Sequence, residues 1–137
     1  MSYSNFYARL HGQSQKGSAA LGEVFLFYPS RFYLPAILLW QILAWSQAWF
    51  IYHNLTGDLL VLHYNVDFGV DLVGDPYRVF LYPLFGLVVW FLSLLAAAAF
   101  SRHRDFKIIA HLLLGGAAFF GLLLSLGLLS IYLINFF

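Results

Sequence analysis

Apolar positions in this chain neither alternate nor keep to one helical stripe. They run together in three long blocks, separated by shorter polar stretches. No formally charged residue lies between Phe32 and Gly57, between Val79 and Ser101, or between Ile108 and Phe137. A helix needs about 20 apolar residues to cross a hydrocarbon core of about 30 Å, and each block is long enough. The spans are expected at Tyr33–Tyr52, Val79–Phe100 and Ile108–Ile134. A helix satisfies its own backbone groups, which lipid will not do. Barrel strands would alternate over about 10 residues, whereas LLAAAAF and LLLSLGLLS do not. The expected fold is an all-α membrane protein, a single domain over residues 1–137. It has three transmembrane helices and a structured extracytoplasmic loop between the first two.

Composition narrows the classes. The chain has 137 residues, 62% hydrophobic and only 9% charged, against about 25% charged in a soluble domain. That excludes an ordinary soluble domain and a disordered chain. With 0 Cys there is no disulfide scaffold, thiolate metal site or cysteine nucleophile. A net charge of +1 gives no basic surplus for nucleic acid. The first apolar block starts after Arg31 and exceeds the 7–15-residue core of a cleaved signal, so it is expected to be a retained anchor.

The distribution of charge sets an orientation. Arg9, Lys16 and Arg31 precede the first block, and Arg102, Arg104 and Lys107 fall in the connection at 101–107. The connection at 53–78 holds Arg78 against Asp58, Asp67, Asp71 and Asp75. Basic residues collect on the cytoplasmic side, which predicts a cytoplasmic N-terminus and an extracytoplasmic C-terminus. Trp49, Tyr52, Tyr77, Tyr82 and Tyr132 mark the outer headgroup level, and Tyr28, Phe32 and Tyr33 the inner one. Pro29 and Pro35 suit the start of the first helix. Residues 1–31 are expected to form a cytoplasmic tail, with an apolar interfacial piece at Val24–Tyr28.

The outer connection is long for a structureless loop. Leu59–Val66 is rich in branched and aromatic residues, and Asp67-Phe68-Gly69 reads as a turn. A short hairpin or an interfacial helix would fit. Asp75-Pro76 marks the start of the second helix, as N-cap and N1. The cluster His63, Asn65, Asp67, Gly69 and Asp71 is a candidate ligand or cation site. It fits no EF-hand spacing and has too few His for zinc, so no metal is assigned. The plainer reading makes these turn and cap residues.

Other polar groups are sparse. His111 lies about one turn inside the third helix and is a candidate cofactor ligand or proton relay, although its shallow depth also suits a headgroup or interhelical contact. Gln41, Ser46, Gln47 and Ser93 are expected to bond between helices. Ala117, Gly121 and Ser125, four residues apart, make a smooth face for close helix packing, within the bundle or with a partner. Ala96–Ala99 forms a similar patch. The sequence contains no nucleophile–base pair, phosphate loop or paired acid/base carboxylates, so no catalytic residue and no cofactor is assigned.

The segments YPSRF, LHYNVDFGVDLVG, DPY and FLYPLFGLVV resemble a group of small, uncharacterised bacterial integral membrane proteins. More distantly, His63-Tyr64-Asn65 with Gly69 is similar to the His-Phe-Asn…Gly pattern in a domain of unknown function. That domain occurs in SdpI-like immunity and signalling proteins. The resemblance implies a bacterial inner-membrane protein without known enzymatic activity. From this follows the expectation of a non-enzymatic accessory or structural subunit, in contact with the bilayer and with a membrane-protein partner or further copies of itself. The alternative is a sensor or immunity protein whose outer loop binds a ligand, peptide or cation.

Overall fold

The computed structural model describes the backbone of residues 3–65 and 69–137, and the side chains of residues 15–63, 69 and 72–137. The chain forms helix α1 (Tyr3–Leu26), helix α2 (Ser30–Asn54), strands β1 (Leu60–Asn65) and β2 (Gly69–Gly74), a 3-10 turn at Pro76–Phe80, helix α3 (Leu81–Ala99) and helix α4 (Phe106–Phe136). Among the described residues, three segments are helical, long and apolar enough to cross a membrane: Ser30–Asn54, Pro76–Ala99 and Phe106–Phe136. At 1.5 Å per residue, the shortest of them reaches about 36 Å.

The first difference from the sequence reading is at the N-terminus. The polar tail is a helix, despite Gly12, Gly17 and Gly22. Each Gly costs only about 1 kcal/mol against Ala in a helix, and Lys16, Ala19, Ala20, Leu21 and Glu23 between and after them are good helix formers or tolerated ones. The C-terminal half is also anchored. Val24 is fully buried in a cluster with Ala97, Ala98 and Leu114. The alanine patch of α3 is therefore covered, at least in part, by α1.

The chain then turns at Phe27–Pro29, and Tyr33 N–H donates to the Pro29 carbonyl at 3.1 Å. Pro29 is the N-cap of α2, but Pro35 lies inside the helix, beyond the first turn. It therefore removes a helical hydrogen bond that would have ended on the Arg31 carbonyl.

Packing fixes the directions of the apolar helices. Along α2 and α4, Tyr33 meets His111 and Trp40 meets Gly121, while Ile51 shares a cluster with Leu128 and Ile131. Both sets of numbers rise together, so α2 and α4 run parallel. Helix α3 runs the other way, with Trp45 and Tyr52 beside Phe80 and Gln41 beside Pro83. One end of the bundle therefore carries Arg31 with the α3–α4 connection, and the other carries the hairpin.

The connection between α2 and α3 is a hairpin, not an interfacial helix. Strands β1 and β2 are antiparallel, pairing Leu60 with Gly74 and Asn65 with Gly69. The register slips between Val61 and His63 and again between His63 and Tyr64. Leu60 and Leu62, two apart on β1, share one face of the strand. Both are buried in the cluster that contains Ala44, Ala48, Ile51, Val79, Leu128 and Ile131. The hairpin is thus packed onto the end of the bundle by its own leucines, each contributing about 1.5–3 kcal/mol if this end is wet.

Candidate functional site

The hairpin carries most of the residues that the sequence singles out as possible ligands. Gly69 has φ +80, a left-handed conformation that favours glycine where the chain enters β2. His63 is exposed on β1. Asn65 and Asp71 occupy positions in β1 and β2, and Asp67 lies outside the described residues. Among the described residues no three His, Cys, Asp or Glu side chains come close enough together to hold a metal ion. Asp75 precedes the 3-10 turn as its N-cap, with Pro76 following, yet its carboxylate makes no capping hydrogen bond. Its oxygen lies 3.5 Å from Arg78 Nε, in a pair that is about half exposed on both sides. Such a surface pair adds at most about 1 kcal/mol.

The sequence reading missed the residue that fastens the hairpin. Asn135, near the end of α4, accepts from the Val61 N–H through Oδ1 at 2.9 Å. Its Nδ2 donates to the Val61 carbonyl at 2.8 Å and to the Ile131 carbonyl at 2.8 Å. The amide therefore presents to the outer edge of β1 the donor and acceptor that a neighbouring strand would supply. The signal in the sequence was slight: it is the only amide side chain between Gln47 and the C-terminus apart from Asn54 and Asn65.

At the opposite end, Tyr33 Oη and His111 Nδ1 are 2.8 Å apart. The rings of Phe27 and Tyr33 meet the imidazole edge-on, with centroids at 5.3 and 5.7 Å. His111 is exposed on α4, one turn below Gly115, whose Cα region faces the Tyr33 ring. In this arrangement the histidine is an interhelical partner.

The small face of α4 is turned toward α2. Ala117 and Ser125 are buried. A Cβ added at Gly121 would stand 2.9 Å from Trp40 Cβ, so the two helices touch there at backbone distance. The amide of Gln41 donates to the Pro83 carbonyl at 2.6 Å, tying α2 to α3. Ser46 folds back onto the Ile42 carbonyl at 2.8 Å instead of reaching another helix. Gln47 Oε1 and Ser125 Oγ are buried without a partner.

Between α3 and α4 lies an open lateral groove of about 620 Å³, lined by Tyr82, Phe85, Val88, Phe120, Leu123 and Gly127 among others. Nothing lies within 4 Å of the place a Cβ would take on Gly127. Gly121 and Gly127, six residues apart on one helix, thus have opposite surroundings. The first is filled by Trp40 and the second is open. Against models of protein families, curated proteins and solved structures, the chain finds no match.

Proposed function

We propose that this chain is a non-enzymatic accessory subunit of the membrane, which packs its α3–α4 groove against a transmembrane helix of a larger protein. The observation that carries this reading is the groove itself, with an open glycine in its lining. Small residues let helix backbones approach closely in lipid, where van der Waals packing drives association. The face at Gly121 is already spent on α2, whereas Gly127 is an open small residue in the lining of the groove. The polar side chains support the same reading: Tyr33, Gln41 and Asn135 each tie one element of the chain to another. Such ties suit a pre-formed scaffold. The basic residues at the α2 start and the α3–α4 connection favour a bacterial cytoplasmic membrane with the N-terminus inside, as does the resemblance of the loop to small bacterial membrane proteins.

Mild-detergent purification from native membranes tests the proposal. The wild-type chain should migrate with a larger complex on a native gel, and Gly127→Leu should release it while its helical circular dichroism stays unchanged. A chain that runs alone or as a small homo-oligomer in both forms would sink the subunit reading. A second reading, in which the hairpin binds a ligand outside the cell, is favoured by its fixed attachment through Asn135. His63→Ala would then abolish a phenotype that Gly127→Leu leaves intact.

A further inference from the structure

A hydrogen-bond donor stands open at the basic end of the bundle. A phenol O–H is the stronger donor of the two groups and an imidazole nitrogen the stronger acceptor, so the contact at 2.8 Å is assigned as Tyr33 Oη–H donating to His111 Nδ1. The neutral imidazole then carries its hydrogen on Nε2, across the ring from Tyr33. His111 is exposed, and no group among the described residues accepts from Nε2. Lys107 lies one helical turn before it on α4 and is also exposed. Residues four apart share a helix face, about 5–6 Å between their Cβ atoms. An ammonium and an N–H donor therefore stand side by side. Ile108 and Leu112, exposed beside them, present an apolar wall.

Depth says what such a pair would meet. From His111 to Asn135 the apolar part of α4 covers about 36 Å at 1.5 Å per residue. The hydrocarbon core is about 30 Å thick, so His111 falls a few ångströms beyond it, where lipid phosphates lie. Basic side chains exposed at this level attract anionic headgroups. We infer that Lys107 and His111 hold the phosphate of an anionic membrane lipid, with Tyr33 as a positioning residue that fixes the imidazole tautomer. The ammonium supplies charge and the Nε2–H a directed hydrogen bond, while the acyl chains descend along α4 past Leu112. The inference rests on the chain spanning a membrane and is independent of the partner proposed above.

The test uses the full chain in zwitterionic detergent. It is titrated with phosphatidylglycerol or phosphatidylcholine and read by native mass spectrometry. The wild type should retain one phosphatidylglycerol in preference to phosphatidylcholine. Lys107→Gln and His111→Phe should each weaken that retention about tenfold, the usual scale of one charge-assisted bond. Lys107→Arg should keep it, and Tyr33→Phe should lower it about twofold by freeing the second tautomer. Equal retention in the wild type and the double variant, with helical circular dichroism preserved, overturns the inference. Should the double variant lose helicity, Lys107→Gln alone decides, because that side chain is exposed near the helix start. Displacement of the lipid by inorganic phosphate would also overturn it, since the site would then be one for a free anion. Release of the chain from membranes by alkaline carbonate is a separate result, which would refute the membrane reading itself.

Discussion

Replacing Asn135 by Leu should undock the hairpin while leaving the bundle intact. The substitution keeps a similar volume and removes both bonds to the Val61 backbone, at 2.9 and 2.8 Å. The bond to the Ile131 carbonyl also goes, but a helical carbonyl retains its backbone partner. Val61 is half-buried, so its N–H and C=O would be left in a site that water enters poorly. Leaving a buried polar group unpaired costs about 1–3 kcal/mol. For two half-buried groups the loss is about 2–4 kcal/mol. That corresponds to about a 30- to 1,000-fold rise in the fraction of time the hairpin is open. Amide hydrogen exchange on the protein in nanodiscs would show it as faster exchange in a peptide covering Leu60–Asn65. Peptides from the middle of α2 and α4 should keep their wild-type protection. Asn135→Asp should be worse than Leu at neutral pH. It keeps an acceptor for the Val61 N–H but turns an oxygen toward two carbonyl oxygens. If β1 exchanges within threefold of wild type in Asn135→Leu, the amide is not the fastening, and Leu60 and Leu62 hold the hairpin alone.

Three further outcomes follow from the packing. Gly121→Ala should lower thermal stability by about 1–3 kcal/mol, since its Cβ would press on Trp40 Cβ at 2.9 Å, whereas Gly127→Ala should melt like wild type. A result in the opposite order would mean that α2 and α4 do not meet at Trp40. Tyr33→Phe and His111→Phe, combined in a double-mutant cycle of unfolding free energies, should give a coupling of about 0.6–1.7 kcal/mol, the range for hydrogen bonds between membrane helices. Additive losses would refute the contact. Leu60→Ala, at a fully buried position, should cost about 2–5 kcal/mol and speed exchange throughout β1 and β2. Unchanged exchange would place Leu60 outside the core.

The apolar helices were legible because lipid demands one thing of the backbone and the blocks of sequence meet it. The expected spans at 33–52 and 108–134 lie within α2 and α4, whereas that at 79–100 starts two residues before α3, in the 3-10 turn, and ends one residue past it. The connection between α2 and α3 was legible as far as a choice between hairpin and helix. Leu60 and Leu62 decide it, through a packing surface that local sequence does not announce. The N-terminal helix was illegible because its glycines argue locally against a helix, and what answers them is Val24 reaching Ala97 and Ala98 more than 70 positions away. Ser46 and Gln47 were expected to bridge helices, but rotation about α2 leaves Ser46 on the outside, bonded within its own turn. Gln41, on the side facing α3, makes the bridge. Asn135 escaped notice for a related reason. One amide near a chain end looks like a helix terminus until the strand it serves is in place.

The fastenings at the two ends of α4 have a consequence for the bilayer around it. Tyr33 holds His111 at one end and Val61 holds Asn135 at the other. A lone helix whose apolar stretch exceeds the membrane thickness leans over until the two match. Helix α4 cannot lean by itself without breaking one of these attachments. With its ends at the headgroups the stretch of about 36 Å fits a core of about 30 Å, but in a thinner bilayer the excess must be taken up by tipping all the helices together or by stretching the adjacent lipid. In a thin bilayer the protein therefore carries an annulus of thickened membrane, and in a thicker one it stands upright at no such cost. Bilayer thickness would then bias where the protein collects, through the elasticity of the surrounding lipid.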